Sequence, residues 1–100
     1  MSPYAPALLD ARVSLPRHVV HRSFAAETVV LNLETGRYHG LNHTAGRMLA
    51  ALERHGAVRA AAAELADAFE RPLEQIEQDL CGLCEQLAER GLLEIDGAED

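Results

Sequence analysis

TVVLNLETGRYHGLNHTAGRMLAAL, residues Thr28 to Leu52, reads as a β-hairpin that runs directly into a capped amphipathic helix. The apolar runs Thr28–Leu33 and Arg37–Leu41 flank Glu34-Thr35-Gly36, whose glycine takes the positive φ of a short bulged hairpin loop. Asn42 stands at an N-cap position, where its side-chain oxygen accepts from a free helix N–H. Ala45, Met48, Leu49 and Leu52 follow at i, i+3, i+4 and i+7, one face of a helix. A three-residue loop pairs Leu33 with Arg37, Leu31 with His39 and Val29 with Leu41. That register turns Val29, Leu31, Leu33 and Leu41 toward the core and leaves Tyr38 and Gly40 with Val30 and Asn32 on the other face. If Arg37–Leu41 is the outer strand, its free main-chain groups form an edge that must be blunted or used for pairing with another chain.

Outward from that passage, Val19–Ser23 reads as a first strand preceded by Pro16, because proline lacks the N–H that a central strand needs. Residues 1–12, with Pro3 and Pro6, read as a flexible N-terminal arm, and residues 97–100 as a polar tail. Between them, 13–96 form one domain without internal repeats or a linker. Downstream, a helix from His43 to His55 stops at Gly56, and an Ala-rich helix follows over Val58–Phe69. The last helix runs from Leu73 to Arg90. Pro72 suits its first position, Leu73, Ile76, Leu80, Leu83 and Leu87 make its apolar stripe, and Gly91 ends it with Leu92 folded back on Leu87. Leu92, Leu93 and Ile95 read as a short wing strand. The expected fold is α+β and winged-helix-like, an N-terminal three-stranded antiparallel sheet followed by three α-helices.

Composition narrows the function. The chain has 100 residues, 48% apolar, with four aromatics and no Trp, so the core is aliphatic. A domain of this size buries roughly two-thirds of its unfolded surface, which leaves little room for an enclosed catalytic cavity. The formal net charge of −7, with all nine basic residues being scattered arginines, argues against nucleic acid, whose binders need a basic face. No apolar run approaches a membrane span and no secretory signal precedes the domain, so a cytoplasmic location without a membrane partner is expected.

Candidate chemistry is sparse. Cys81-Gly82-Leu83-Cys84 matches C-x-x-C, but it falls inside a helix without a βαβ context, and two thiolates fall short of a four-ligand zinc site. The two read as small packing residues. His18, His21, His39, His43 and His55 show no helical i, i+4 pair, so no metal site is expected. No nucleophile–base pair, glycine elbow or phosphate loop is present, and the expectation is a non-enzyme without cofactors.

Val29–Leu49, the Tyr38-x-Gly40-Leu41-Asn42 segment within it, and the terminal Gly91-Leu92-Leu93 together resemble a PqqD-type RiPP recognition element. The resemblance covers about Val13 to Ile95. It implies a stand-alone domain that binds the leader segment of a ribosomally made precursor peptide, as an antiparallel strand added to the third strand of the sheet. Carried over residue by residue, the binding strand is Arg37, Tyr38, His39, Gly40 and Leu41. The helix wall is Leu73, Glu77, Leu80, Cys81, Cys84 and Ala88, with the two cysteines leaving room for a leader side chain. The partners implied are the precursor leader and a separate modifying enzyme (a leader protease, cyclase or radical enzyme). The hairpin resembles the broad set of recognition proteins, including those serving lasso-peptide leader proteases, more than the narrow pyrroloquinoline quinone group. A winged-helix DNA-binding regulator is the alternative, although Glu74, Gln75, Glu77, Gln78 and Asp79 at the start of the last helix would repel phosphates. A homodimer joined through the sheet edge is a third reading.

Overall fold

The computed structural model describes residues 8–96 of the chain. Its elements in chain order are β1 (Arg12–Ser14), β2 (Val19–Ser23), β3 (Glu27–Asn32), β4 (Tyr38–Asn42), α1 (His43–His55), α2 (Val58–Phe69), α3 (Leu73–Glu89) and β5 (Glu94–Asp96). An antiparallel three-stranded sheet in the order β2-β3-β4 leads into three helices, the expected α+β architecture. The wing expected after the last helix is present as β5. Its partner is β1, in register Val13↔Ile95, so the chain's two ends close a second, two-stranded sheet.

The hairpin differs from expectation by one residue. Its register is Thr28↔Leu41, Val30↔His39 and Leu31↔Tyr38, and the Asn32 N–H donates to the Arg37 carbonyl. The loop is therefore Leu33–Gly36, one residue longer than the three expected. Asn32 is the cause: its Oδ1 accepts from the backbone N–H groups of Glu34 (2.9 Å) and Thr35 (3.3 Å), an Asx turn that draws Leu33 into the loop. A one-residue slip exchanges the two faces of a strand. Thr28, Val30, Asn32 and Leu41 are buried, whereas Leu33 is 57% exposed and Tyr38 73% exposed. The expectation that Val29, Leu31 and Leu33 face the core is thus overturned; only Leu41 of that set does so.

The helices follow the sequence closely. Asn42 caps α1, accepting from the Ala45 N–H at 2.8 Å, and Gly56 ends it at φ 72° with its N–H on the Leu52 carbonyl. Pro72 lies just outside α3 as its cap, not within the first turn. Gly91 has φ 73°, and the Leu92 N–H reaches back to the Leu87 carbonyl at 2.8 Å, which folds Leu92 into the core as a Schellman end should.

Leu49, Leu52, Leu65, Ile76, Leu80, Leu87 and Leu92 are among the fully buried side chains that unite the helices. Each contributes on the order of 2 kcal/mol of transfer free energy. Alanines 61 and 62, also fully buried, let α2 approach its neighbours closely. Part of the expected flexible arm belongs to this core: Leu8 and Ala11 are buried, the Val58 N–H donates to the Ala11 carbonyl, and Arg59 pairs with Asp10 at 2.9 Å. The remainder of that arm, residues 1–7, and the tail at 97–100 lie outside the described residues.

Candidate functional site: an open sheet edge beside the last helix

β4 closes the three-stranded sheet on one side and, among the described residues, pairs only with β3. In an antiparallel ladder, residues alternate between those exchanging hydrogen bonds with the partner and those facing away. The bond from Asn32 N–H to Arg37 C=O sets the phase. With the observed register, His39 and Leu41 direct their main-chain groups at β3. Tyr38, Gly40 and Asn42 direct theirs outward. The N–H of His39, at the centre of the expected edge, therefore belongs to the ladder, and Tyr38 and Gly40 carry the groups open to another strand.

A trough runs beside this edge, with α3 as its far wall. At the hairpin end, Asn32, Thr35, Arg37 and His39 face Glu89 and Arg90 across a recess of about 610 Å³. Toward the start of α1 lies a separate recess of about 410 Å³, with Asn42, Thr44, Ala45 and Met48 on one side. The helix side there is Gln78, Asp79, Gly82, Leu83 and Gln86. Met48 and Leu83 are largely buried, which gives the trough an apolar floor under a polar rim. Gly82 contributes space: a methyl group added there meets nothing within 4 Å.

None of the helix positions expected from the resemblance lines these recesses. Leu80, Cys81 and Cys84 are buried in the core, Leu73 is an exposed residue at the first turn, and Ala88 is half-buried away from the trough lining. Glu77 approaches Arg59 of α2 at 4.0 Å, on the opposite side of the helix from β4. Asp79, Gly82, Leu83 and Gln86 repeat at three- and four-residue spacing and form the face turned to the sheet edge. Leu83 in the apolar stripe was the sequence signal for that face. Its polar neighbours gave none, because solvated and ligand-facing glutamines read alike.

The cysteines fit packing. Burial pushes the Cys84 thiol up to about 12 and raises Cys81 as well, with nearby Glu85 and Glu77 adding to the shift at Cys81. A thiol held protonated is neither a nucleophile nor a metal ligand at neutral pH. Two histidines instead share hydrogen bonds with carboxylates away from the trough: His21 with Glu53 at 2.8 Å, and His55 with Glu64 at 2.6 Å beside Arg54. The His55 hydrogen bond is the main reason the Glu64 carboxyl sits below its ordinary value. Among the described residues no group of three or more His, Cys, Asp or Glu is placed to hold a metal ion.

The family model for coenzyme PQQ synthesis protein D (PqqD) matches residues 27–93, from the first residue of β3 to the end of the Schellman turn. The chain belongs to the PqqD family. The match spans both walls of the trough. Among solved structures, a PqqD-like fold is shared with TbiB1 in complex with the TbiA(beta) leader peptide, at 27% identity, TM-score 0.74, over 81% of this chain and 94% of that one. It is shared also with lasso peptide synthetase B1 complexed with the leader peptide, at 23% identity, TM-score 0.73, over 83% of this chain and 98% of that one. Among curated proteins no relative matches the sequence. This PqqD-family chain has no described helix long and apolar enough to cross a membrane.

Proposed function

We propose that this PqqD-family domain captures the leader segment of a ribosomally synthesised precursor peptide and presents it to a separate modifying enzyme. The leader adds to β4 as an antiparallel strand. Main-chain bonds to Tyr38 and Gly40 supply sequence-independent affinity, and leader side chains entering the trough supply selectivity. Arg37, Tyr38, His39, Gly40 and Leu41 make the receiving strand, and Asp79, Gly82, Leu83 and Gln86 make the helix wall. The domain itself does no chemistry in this scheme; protease, cyclase or radical steps belong to its partner enzyme.

The observation that carries the proposal is a sheet edge with outward N–H and C=O groups lying directly beside a trough with an apolar floor. The likeness to TbiB1, a protein seen with a leader peptide, supports the same reading. The DNA-binding alternative has no such support: the exposed residues at the start of α3 are Glu74, Gln75, Gln78 and Asp79.

Calorimetric titration with synthetic leaders encoded by short reading frames beside the gene tests the proposal. Saturable one-to-one binding by one of them is expected. A chain that binds none of them and sediments as a stable dimer through its sheet edge contradicts it.

A further inference from the structure

The trough does not end at Asn42. Past Thr44, Met48 and Asp79, which it shares with the adjoining section, it opens into a third recess of about 350 Å³ between the start of α1, the end of α2 and α3. Two guanidinium groups line it. Arg47 lies with its guanidinium carbon 4.8 Å from the centroid of the Phe69 ring, and Arg71 stands on the segment after α2. Neither has a carboxylate partner among the described residues, unlike Arg54 and Arg59, which are paired with Glu64 and Asp10. The first turn of α1 opens on the same recess through His43 and Thr44 and carries no acidic side chain. Asp79, on the far wall, is the acid in this lining. In a chain of net charge −7, two unpaired arginines converging on one cavity mark a site for an anionic group.

The polarity of strand addition says which part of a peptide arrives there. A strand antiparallel to β4 begins beside Asn42 and ends beside Tyr38, so the residues preceding it pass over the start of α1 and into this recess. Resting on the proposed function, we infer that the Arg47–Arg71 recess is a subsite for an aspartate or glutamate lying on the N-terminal side of the leader's strand-forming segment. Arginine forks match carboxylates geometrically, and Arg47 lies over the face of an aromatic ring, which reduces the ordering that binding requires. The subsite reads a charge at a fixed distance from the strand, and this selects acidic leaders that pair in the right register.

Selection from a displayed library of random 14-residue peptides on the full chain tests this. Selected peptides are expected to share a short apolar strand-forming segment with Asp or Glu enriched within a few residues on its N-terminal side. Selection on Arg71→Gln, and on the double variant Arg47→Gln/Arg71→Gln, should retain the apolar segment and lose the acidic preference. For one synthetic selected peptide, Glu→Gln at the enriched position should weaken binding on the order of tenfold to the native chain and hardly at all to the double variant. An apolar segment without an upstream acid, or an acidic preference that survives in both variants, overturns the subsite while leaving leader capture intact. Absence of any shared apolar segment overturns both.

Discussion

Gly46 of α1 rests on Thr28 of β3 so closely that a methyl group at Gly46 would lie 2.2 Å from the threonine hydroxyl oxygen and 2.8 Å from its Cβ. Thr28 is buried, and its hydroxyl shares a 3.0 Å hydrogen bond with that of Ser23. This contact sets how far the helix sits above the sheet, and so where its first turn meets the trough. Gly46→Ala, although favourable to an isolated helix, should destabilise the domain by about 1–3 kcal/mol through overpacking. Thermal denaturation checks it, and pairing the change with Thr28→Gly should cost less than the sum of the two single changes.

Proline scanning of β4 separates the edge from the ladder. Gly40→Pro removes an outward N–H, and the space around Gly40 is ordinary, with Glu27 Oε1 3.6 Å from an added Cβ. It should leave the fold intact and weaken leader binding by about tenfold. His39→Pro removes an N–H that belongs to the β3–β4 ladder and should lower stability instead. Melting curves and peptide titrations on both variants distinguish the two positions.

At Gly82, in the middle of α3, helix propensity and binding are expected to oppose each other. Gly82→Ala should raise stability by roughly 0.5–1 kcal/mol, because glycine is costly inside a helix and the new methyl meets no neighbour. Gly82→Leu should preserve the fold while filling the trough, with leader affinity reduced at least tenfold. Equal affinity for native and Gly82→Leu chains would place the leader elsewhere.

Cys84 gives a pH prediction with a definite sign. Its thiol titrates near 12 in the folded chain against an ordinary value of 9.0, so the unfolded chain gives up this proton first. Stability should therefore fall as pH rises above about 9, and Cys84→Ala should flatten that slope even though it starts from a less stable protein. A thiol reagent at pH 8 should react slowly with the native chain and fully with both cysteines in guanidinium.

Most of the fold was legible because its local signals agree with its packing. Asn42, Gly56 and Gly91 cap the helices as their chemistry demands, and the stripes Val58–Leu65 and Ile76–Leu87 face the core. The hairpin register was not legible from apolar alternation, because Thr28–Leu33 is apolar on both faces. One polar side chain, Asn32, decided between them by turning the loop. β4 as an outer strand was legible in the sequence, whereas the face of α3 that lines the recess lies about half a turn from the one expected. Leucines and cysteines that pack inward are indistinguishable in sequence from those lining a groove, and the α3 side of the recess is largely glycine, glutamine and aspartate. β1 shows the same limit: it forms between distant segments, with β5 returning on one side and the Gly56–Ala57 connection on the other, where the Val13 N–H donates to the Gly56 carbonyl.

The central claim is that a leader strand lies along β4 against α3. Its most direct test is amide chemical-shift mapping of the full chain titrated with a synthetic leader from a neighbouring short reading frame. The account predicts the largest shifts at Tyr38, Gly40 and Asn42 and along Asp79–Gln86, with the outward amides of Tyr38 and Gly40 newly protected from exchange. Shifts confined to β2, α2 or the β1–β5 sheet, with the Tyr38 and Gly40 amides still exchanging freely, would contradict it.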